Sequence, residues 1–329
     1  MRILGKTNIY VNEIGCGGIP IQHVDQNVVN EMIDEMIKQK INFIDTARGY
    51  TVSEELLGIA LEGKREKFVL ATKSMSRTYE GMKKDIEISL KNLKTDYIDL
   101  YQIHNVSLGE DISGALMALE EAKKEEKIRH IGVTSHSVKC LDMLINNPIF
   151  ETIQYPYNIV ENQAEELFEK ANKMNIGIIV MKPLAGGAID DAKLAIKYIL
   201  NNDNVSVVIP GMESIKQIQE NNSVKKGVYT QEELNKIDLI KNELNNDFCR
   251  RCGYCMPCPK GINIPFSFLV EGYFSRYNLK EWAVSRYQSM KVKPSACIEC
   301  GICETKCPYN LPIRRKLKEV VKVLEGQNE

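Results

Sequence analysis

A (β/α)8 barrel with an N-terminal β-hairpin, followed by a small α-helical module, is the α/β fold class this sequence predicts. Three observations predict it. Eight short apolar runs alternate with amphipathic helical stretches through residues 1–247. Runs two to eight end near residues 45, 73, 104, 135, 154, 181 and 209, at intervals of 19 to 31 residues, one strand–helix unit each. Beyond residue 247 that rhythm stops and eight cysteines enter in two short runs. No Gly-x-Gly-x-x-Gly follows the first apolar run, which argues against an open doubly wound sheet.

The elements follow in order. Residues 2–11, with a Gly-Lys-Thr-Asn turn at 5–8, read as a hairpin able to plug the floor of the barrel. Strands are predicted at 13–17, 43–46, 68–73, 97–104, 130–135, 152–155, 177–181 and 205–210. Between them, 28–40 places Val29, Met32, Ile33, Met36 and Ile37 on one helical face, and 82–93 and 116–126 show the same period. A further helix is expected at 231–246, with Thr230 as its N-cap. In the module, 265–290 carries long apolar and aromatic side chains at helical spacing, which predicts two short helices hinged near Asn278. A final helix at 313–324 is basic at its start. The division is therefore a barrel at 1–247 and a helical ferredoxin-like domain at 248–329.

Composition sets limits on function. The chain has 329 residues, 43% hydrophobic and 26% charged, ordinary for a soluble protein with a full core. Its start has no apolar core of signal-peptide length, and no run of 18 apolar residues suggests a membrane span. With so many thiols, a reducing cytoplasm is the expected location. The net charge of −1 hides an asymmetry. From Phe248 onward there are 14 Lys+Arg against 7 Asp+Glu, a balance of +7, whereas the preceding residues carry 29 against 37, a balance of −8. A basic module could steer an acidic electron carrier, a ferredoxin or flavodoxin, toward it, or simply neutralise bound anionic groups. The charges are not organised around a nucleic-acid-binding motif. Richness in Ile, Lys and Asn fits an anaerobic bacterium.

The cysteine spacing is the sharpest chemical signal. The first run is Cys249-x2-Cys252-x2-Cys255-x2-Cys258-Pro259 and the second is Cys297-x2-Cys300-x2-Cys303-x3-Cys307-Pro308. Three thiolates within seven residues and a fourth before a proline suit a [4Fe–4S] cubane. Zinc usually takes two separated Cys-x2-Cys pairs, and a disulfide framework belongs to small secreted chains. Two runs imply two clusters. Crossed ligation gives Cys249, Cys252, Cys255 and Cys307 for one, and Cys297, Cys300, Cys303 and Cys258 for the other. Of the remaining cysteines, Cys16 ends the first strand and Cys140 lies in a helical pattern, and both suit small buried apolar roles.

In a (β/α)8 barrel, functional residues sit at the C-terminal ends of strands. Those ends offer Asp45, Lys73 and His104, with Tyr50 in the loop beyond Asp45. Singly, each has a structural reading: a helix cap, a solvated strand end, a core histidine, loop packing. Together they suit protonation of an alkoxide as hydride arrives. Tyrosine is a weak acid at neutral pH, and a neighbouring ammonium favours its phenolate. Lys73 can supply that charge, Asp45 can hold Lys73, and His104 can orient a carbonyl oxygen or relay the proton.

These residues and their surroundings resemble the aldo-keto reductase family. The stretch Phe43-Ile-Asp-Thr-Ala-Arg-Gly-Tyr50, then Ser53-Glu54, is similar to the family's signature, and Ala71-Thr-Lys73, Leu100-Tyr-Gln-Ile-His104 and Leu4-Gly-Lys-Thr7 extend the likeness. The resemblance implies Tyr50 as proton donor and a nicotinamide dinucleotide, NADP or NAD, as cofactor. Ser135, His136 and Gln154 match positions that hold the nicotinamide carboxamide, with His136 in place of the usual asparagine. Met181 stands where many members place a tyrosine against the ring. Pro183, Leu184, Gly186 and Gly187 resemble the loop that passes the pyrophosphate. Gly211, Ser214, Gln217, Glu220 and Asn221 resemble the adenosine end. Gly211 and Gln217 replace basic residues there, Lys216 lies one position away, and Glu213 could accept from a ribose hydroxyl. The balance leans slightly to NADP.

The expected function is NAD(P)H-dependent reduction of a carbonyl, or the reverse oxidation of an alcohol, by an iron–sulfur-containing enzyme. The alternative is an electron-transfer or redox-sensing protein in which the clusters act and the barrel is a docking or cofactor-binding platform. The connections after the strands are short, which predicts an open pocket.

Overall fold

The computed structural model describes residues 1–244 and 246–326. Two short antiparallel strands, β1 (Arg2–Ile3) and β2 (Tyr10–Val11), form the hairpin. Eight parallel strands follow: β3 (Cys16–Gly17), β4 (Phe43–Asp45), β5 (Val69–Ser74), β6 (Ile98–Ile103), β7 (Ile128–Thr134), β8 (Thr152–Pro156), β9 (Gly177–Met181) and β10 (Val207–Ile209). They are hydrogen-bonded in sequence order from β3 to β10. Parallel bridges Ile14–Val208 and Gly17–Gly211 join the first and last strands, with the Gly15 amide donating to the Val208 carbonyl at 2.8 Å. The sheet thus closes on itself, which is the (β/α)8 barrel expected from the strand spacing.

The helices α1 (Gln26–Lys38), α2 (Ser53–Ala60), α3 (Tyr79–Asn92), α4 (Ser113–Lys124), α5 (Val138–Leu144), α6 (Glu165–Lys173), α7 (Ala192–Leu200) and α8 (Ile215–Ser223) alternate with the strands. α1 starts two residues before its expected position, and Lys40 in the left-handed region closes the turn behind it. Beyond the barrel come α9 (Gln231–Leu244), α10 (Ile264–Ser275), α11 (Lys280–Gln288), α12 (Ile302–Thr305) and α13 (Ile313–Leu324). The expected helix at 231–246 includes Asn245, and the module expected at 248–329 includes residues 327–329; these lie outside the described residues. Asn278, at φ 53°, makes the expected hinge between α10 and α11.

The chain forms two compact units, Met1–Leu184 with Asp191–Val228, and Ala185–Asp190 with Tyr229–Glu329. α9 therefore groups with the second unit, although the sequence boundary at 247/248 leaves it with the barrel.

Strand periodicity builds the first unit in layers. Along β4, β5, β6 and β9, Phe43, Ala71, Leu100 and Ile179 form one small apolar cluster with Leu4 and Val11 of the hairpin. Ile44, Leu70, Tyr101 and Val180, one position along, belong instead to the large cluster shared with the helices. The hairpin seals one end of the inner cluster: the Lys6 amide donates to the Asn175 carbonyl at 2.6 Å, just before β9. Gly5 (φ +55°) touches the Gly177 backbone so closely that a Cβ there has no space.

The second unit is smaller. α13 turns Ile313, Leu317, Val320 and Leu324 inward, at the spacing of one helical face. Tyr273 of α10 packs on Trp282 of α11, ring centroids 4.6 Å apart, and on Tyr277 at 5.6 Å.

Candidate active site and cluster cavity

The alternation that puts Phe43, Ala71 and Leu100 inside the barrel also puts Asp45, Lys73 and Gln102 inside, two residues further toward the C-terminal ends. There the inner face changes from apolar to polar. Asp45 and Lys73 are 2% and 1% exposed, so the charges compensate one another out of water. Lys73 Nζ donates to Asp45 Oδ2 and to the Thr46 carbonyl, the latter at 2.7 Å. Asp45 Oδ1 accepts from Gln102 Nε2 at 3.0 Å and Gln154 Nε2 at 2.8 Å. Burial pushes the Lys73 ammonium below its ordinary value, against the opposing pull of Asp45 and Glu54.

Tyr50 reaches this pair because its loop is bolted down. Glu54, buried at the start of α2, accepts from Arg48 (2.8 Å), Thr72 (2.8 Å) and Ser89 (2.8 Å). The Arg48 amide donates to the Lys73 carbonyl, and the Tyr50 amide to the Ala47 carbonyl, both at 3.0 Å. Ser53 Oγ lies 2.9 Å from Thr46 Oγ1 and donates to the Gly18 carbonyl at 3.0 Å. Lys73 Nζ then stands 4.9 Å from the Tyr50 ring centroid, and the His104 ring meets Tyr50 edge-on at 6.1 Å. The three residues expected at strand ends and Tyr50 of the loop beyond Asp45 are thus neighbours. His104 is fixed by its amide bond to the Ser74 carbonyl (2.8 Å) and by Arg77, which donates to its carbonyl at 3.0 Å.

The residues expected to hold a nucleotide are placed in several separate surroundings. Ser135 Oγ donates to the Val106 carbonyl at 2.7 Å, and Gln154 is the fully buried partner of Asp45. His136 Nδ1 lies 2.7 Å from Asn105 Oδ1 and its Nε2 lies 3.0 Å from Lys182 Nζ. That pairing requires the proton on Nδ1 and the acceptor lone pair on Nε2. Met181 ends β9, half-buried, and Pro183 is buried beyond it. Gly211 bridges to Gly17, and a Cβ on it would stand 2.8 Å from Pro20. Ser214 caps α8 by accepting from the Gln217 amide at 3.3 Å, while Gln217 accepts from the Glu213 amide at 2.8 Å. Asn221 is buried, and Glu220 lies 3.8 Å from an exposed Lys216. Glu213 meets His23 at 2.8 Å. Leu184 closes the first unit's part of the β9–α7 loop, and Gly186 and Gly187 belong to the second unit.

Sequence reasoning missed Gln102, Lys182 and Asn105. Gln102 carried a signal: a residue two positions before His104 on the same strand shares its face. Lys182 stands one residue past the end of β9 and Asn105 two past the end of β6, and only the folded loops pair them with His136. Cys16, in register with Ile44, belongs to the cluster shared with the helices; burial first, then Asp45, push its thiol up to about 12, so it stays protonated. Burial likewise raises the Cys140 thiol.

In the second unit the eight thiols fall into two groups. Cys258, Cys297, Cys300 and Cys303 line one small cavity with Ile264, Gly301, Arg314 and Leu317. Burial pushes the Cys255 thiol up to about 12, and Cys249, Cys252 and Cys307 push in the same direction. Cys252 is raised by burial and by Cys307. In the other group burial raises the Cys303 thiol, and four thiols lining one cavity are a donor set that suits a cationic metal cluster.

Residues 13–193 and 189–242 match the model of the Aldo/keto reductase family. The chain belongs to the aldo/keto reductase family. It is an NAD(P)-dependent oxidoreductase of that family with a 4Fe–4S domain, since residues 248–312 match the model of a 4Fe-4S dicluster domain. It is similar to an L-galactose dehydrogenase of Arabidopsis thaliana, 26% identical over 75% of this chain and 95% of that protein. It is also similar to an aldo-keto reductase of Bacillus subtilis (strain 168), 31% identical over 61% of this chain and 67% of that one. Among solved structures, the holo form of an aldo-keto reductase from Bacillus halodurans matches with a TM-score of 0.65 at 27% identity, covering 73% of this chain and 95% of that chain. No helix among the described residues is long and apolar enough to cross a membrane.

The reductase barrel makes a stability prediction. Lys73→Met leaves the Asp45 carboxylate buried without its partner and should lower the unfolding free energy by about 3–5 kcal/mol. Combined with Asp45→Asn, the loss should be smaller than the sum of the two single losses. Chemical denaturation of the three variants measures this, and strictly additive losses would contradict a coupled pair.

Proposed function

We propose that this protein reduces a small carbonyl compound with NADPH or NADH, or oxidises the corresponding alcohol, with Tyr50 as the general acid. The observation that carries the reading is Tyr50 held against the buried Asp45–Lys73 pair on one side and His104 on the other. The bound nicotinamide supplies the hydride. Tyr50 gives its proton to the oxygen that becomes the alcohol, and the Lys73 ammonium steadies the phenolate left behind. Asp45 keeps Lys73 aimed at the ring, and Gln102 and Gln154 keep Asp45 aimed at Lys73. His104 orients the carbonyl oxygen. On this reading Ser135, His136, Gln154 and Met181 face the nicotinamide end, and the segments 183–187 and 211–221 the phosphates and adenosine. Loops after the seventh and eighth barrel strands are the usual phosphate sites of this fold, which supports that orientation.

The thiol groups support two [4Fe–4S] clusters with crossed ligands: Cys249, Cys252, Cys255 and Cys307 for one, Cys258, Cys297, Cys300 and Cys303 for the other.

Tyr50→Phe should lower carbonyl reduction by roughly 10²–10⁴-fold while nucleotide affinity, read by fluorescence titration, stays unchanged. Full activity in that variant would move the chemistry to the clusters and make the barrel a platform. Anaerobically prepared protein should carry about eight iron and eight sulfide per chain, and Cys255→Ser should lose about half of each. Stoichiometric zinc in place of iron would overturn the cluster reading.

A further inference from the structure

The two three-cysteine loops of the second unit share a backbone shape and differ in charge. Cys249-Arg-Arg-Cys252-Gly-Tyr-Cys255 and Cys297-Ile-Glu-Cys300-Gly-Ile-Cys303 set Arg250 against Ile298, and Arg251 against Glu299. Arg251 and Glu299 both lie in the left-handed region, at φ 57° and 55°, and so do Gly253 and Gly301, at φ 82° and 76°. The Met256 amide donates to the Gly253 carbonyl at 2.9 Å, as the Glu304 amide does to the Gly301 carbonyl at 3.0 Å. Matching backbones put these side chains at matching places beside their thiols, so the exchange of charge can be compared directly.

In the first loop the cation is withdrawn from water. Arg250 lies between Cys249 and Cys252, is 6% exposed, and has its guanidinium 3.9 Å from the centroid of the Tyr309 ring. Tyr309 stands two residues beyond Cys307, so the stack ties the first loop to the fourth thiol of its group. Arg251 Nη1 donates to the Cys249 carbonyl at 3.2 Å, and its guanidinium lies 5.3 Å from the Phe248 ring centroid. The second loop has the opposite character. Ile298 is exposed, and Glu299 meets Lys318 at 2.8 Å. Lys260 and Arg314 line that group's cavity, Lys260 exposed and Arg314 held by Glu304 at 2.7 Å. A charge in water is screened, whereas a buried one acts far more strongly on its neighbours.

We infer that the two clusters are unequal electron acceptors: Arg250, fixed on Tyr309, makes the cluster of Cys249, Cys252, Cys255 and Cys307 the one of higher reduction potential. This rests on the functional reading above, in which those four thiols hold one cluster. On reduction each cluster takes one electron and gains one unit of negative charge; no bond forms or breaks and no proton moves. A fixed cation beside a cluster favours the reduced form, and an acid beside it favours the oxidised form. An electron that enters this unit therefore settles in the group that carries Arg250.

The test is a redox titration of anaerobically purified, iron-replete protein with dithionite as the reductant, each cluster followed by the paramagnetic signal of its reduced form. The wild-type protein should show two separate midpoints. At a fixed potential, Arg250→Gln should lower the reduced-to-oxidised ratio of the higher-potential cluster about tenfold, a downward shift of about 59 mV, and leave the other cluster where it is. Arg250→Lys keeps the charge and should keep most of that midpoint. Glu299→Gln should raise the lower midpoint, so the two substitutions move different clusters in opposite directions, which a loss of packing would not do. Coincident midpoints in the wild-type protein overturn the inference. So does Arg250→Gln that leaves both midpoints unchanged or lowers only the lower one. Should Arg250→Gln lose iron, Arg250→Lys decides: a retained midpoint supports the charge effect, and a fall of the size expected for the glutamine overturns it. Wild-type protein that carries zinc in place of iron removes the cluster reading, and this inference with it.

Discussion

Everything at the barrel mouth depends on one buried ion pair. Asp45 and Lys73 sit where the inward face of β4 and β5 passes from Phe43 and Ala71 to polar residues. Two charges in such a place are tolerated because they pair with each other and with further partners: the Thr46 carbonyl takes a second Lys73 proton, and Gln102 and Gln154 donate to the far oxygen of Asp45. The same pair sets the position and the electrostatic surroundings of Tyr50. The Ala47–Tyr50 turn is tied to the Lys73 carbonyl through Arg48, and the ammonium lies against the phenol ring. A change that satisfies the core but discards the pair therefore removes the charge beside the Tyr50 ring as well.

The second unit raises a different question, how one-electron centres serve a two-electron reaction. A hydride moves two electrons at once, and a cluster takes one. Within that unit Arg276 donates to the Gly186 carbonyl, and the hinge at Asn278 follows directly on Arg276 and Tyr277, where α10 turns into α11.

Much of this was legible in the sequence, for identifiable reasons. Strand spacing and the absence of a dinucleotide-fold glycine motif predicted the barrel, because parallel strands buried on both faces leave short apolar runs at regular intervals. Asp45, Tyr50, Lys73 and His104 could be read because strand ends carry function in this fold. The cysteines could be read because ligand spacing is local. What stayed hidden depends on contacts distant in sequence. Nothing in the sequence around Lys182 points to His136, and nothing around Gly186 points to Arg276, ninety positions away. The grouping of α9 with the second unit is hidden for the same reason: Ile237, its one buried residue, says that the helix packs, but not on what.

The most direct test of the central claim is the ionisation of Tyr50 itself, followed by the ring-carbon resonance of selectively labelled tyrosine across a pH series. Loss of one signal in Tyr50→Phe assigns it. If the Asp45–Lys73 pair steadies the phenolate, the Tyr50 signal titrates at lower pH in the wild-type protein than in Lys73→Met. An identical or lower midpoint in Lys73→Met would contradict the account and leave the buried pair as a structural feature with no part in the acid chemistry.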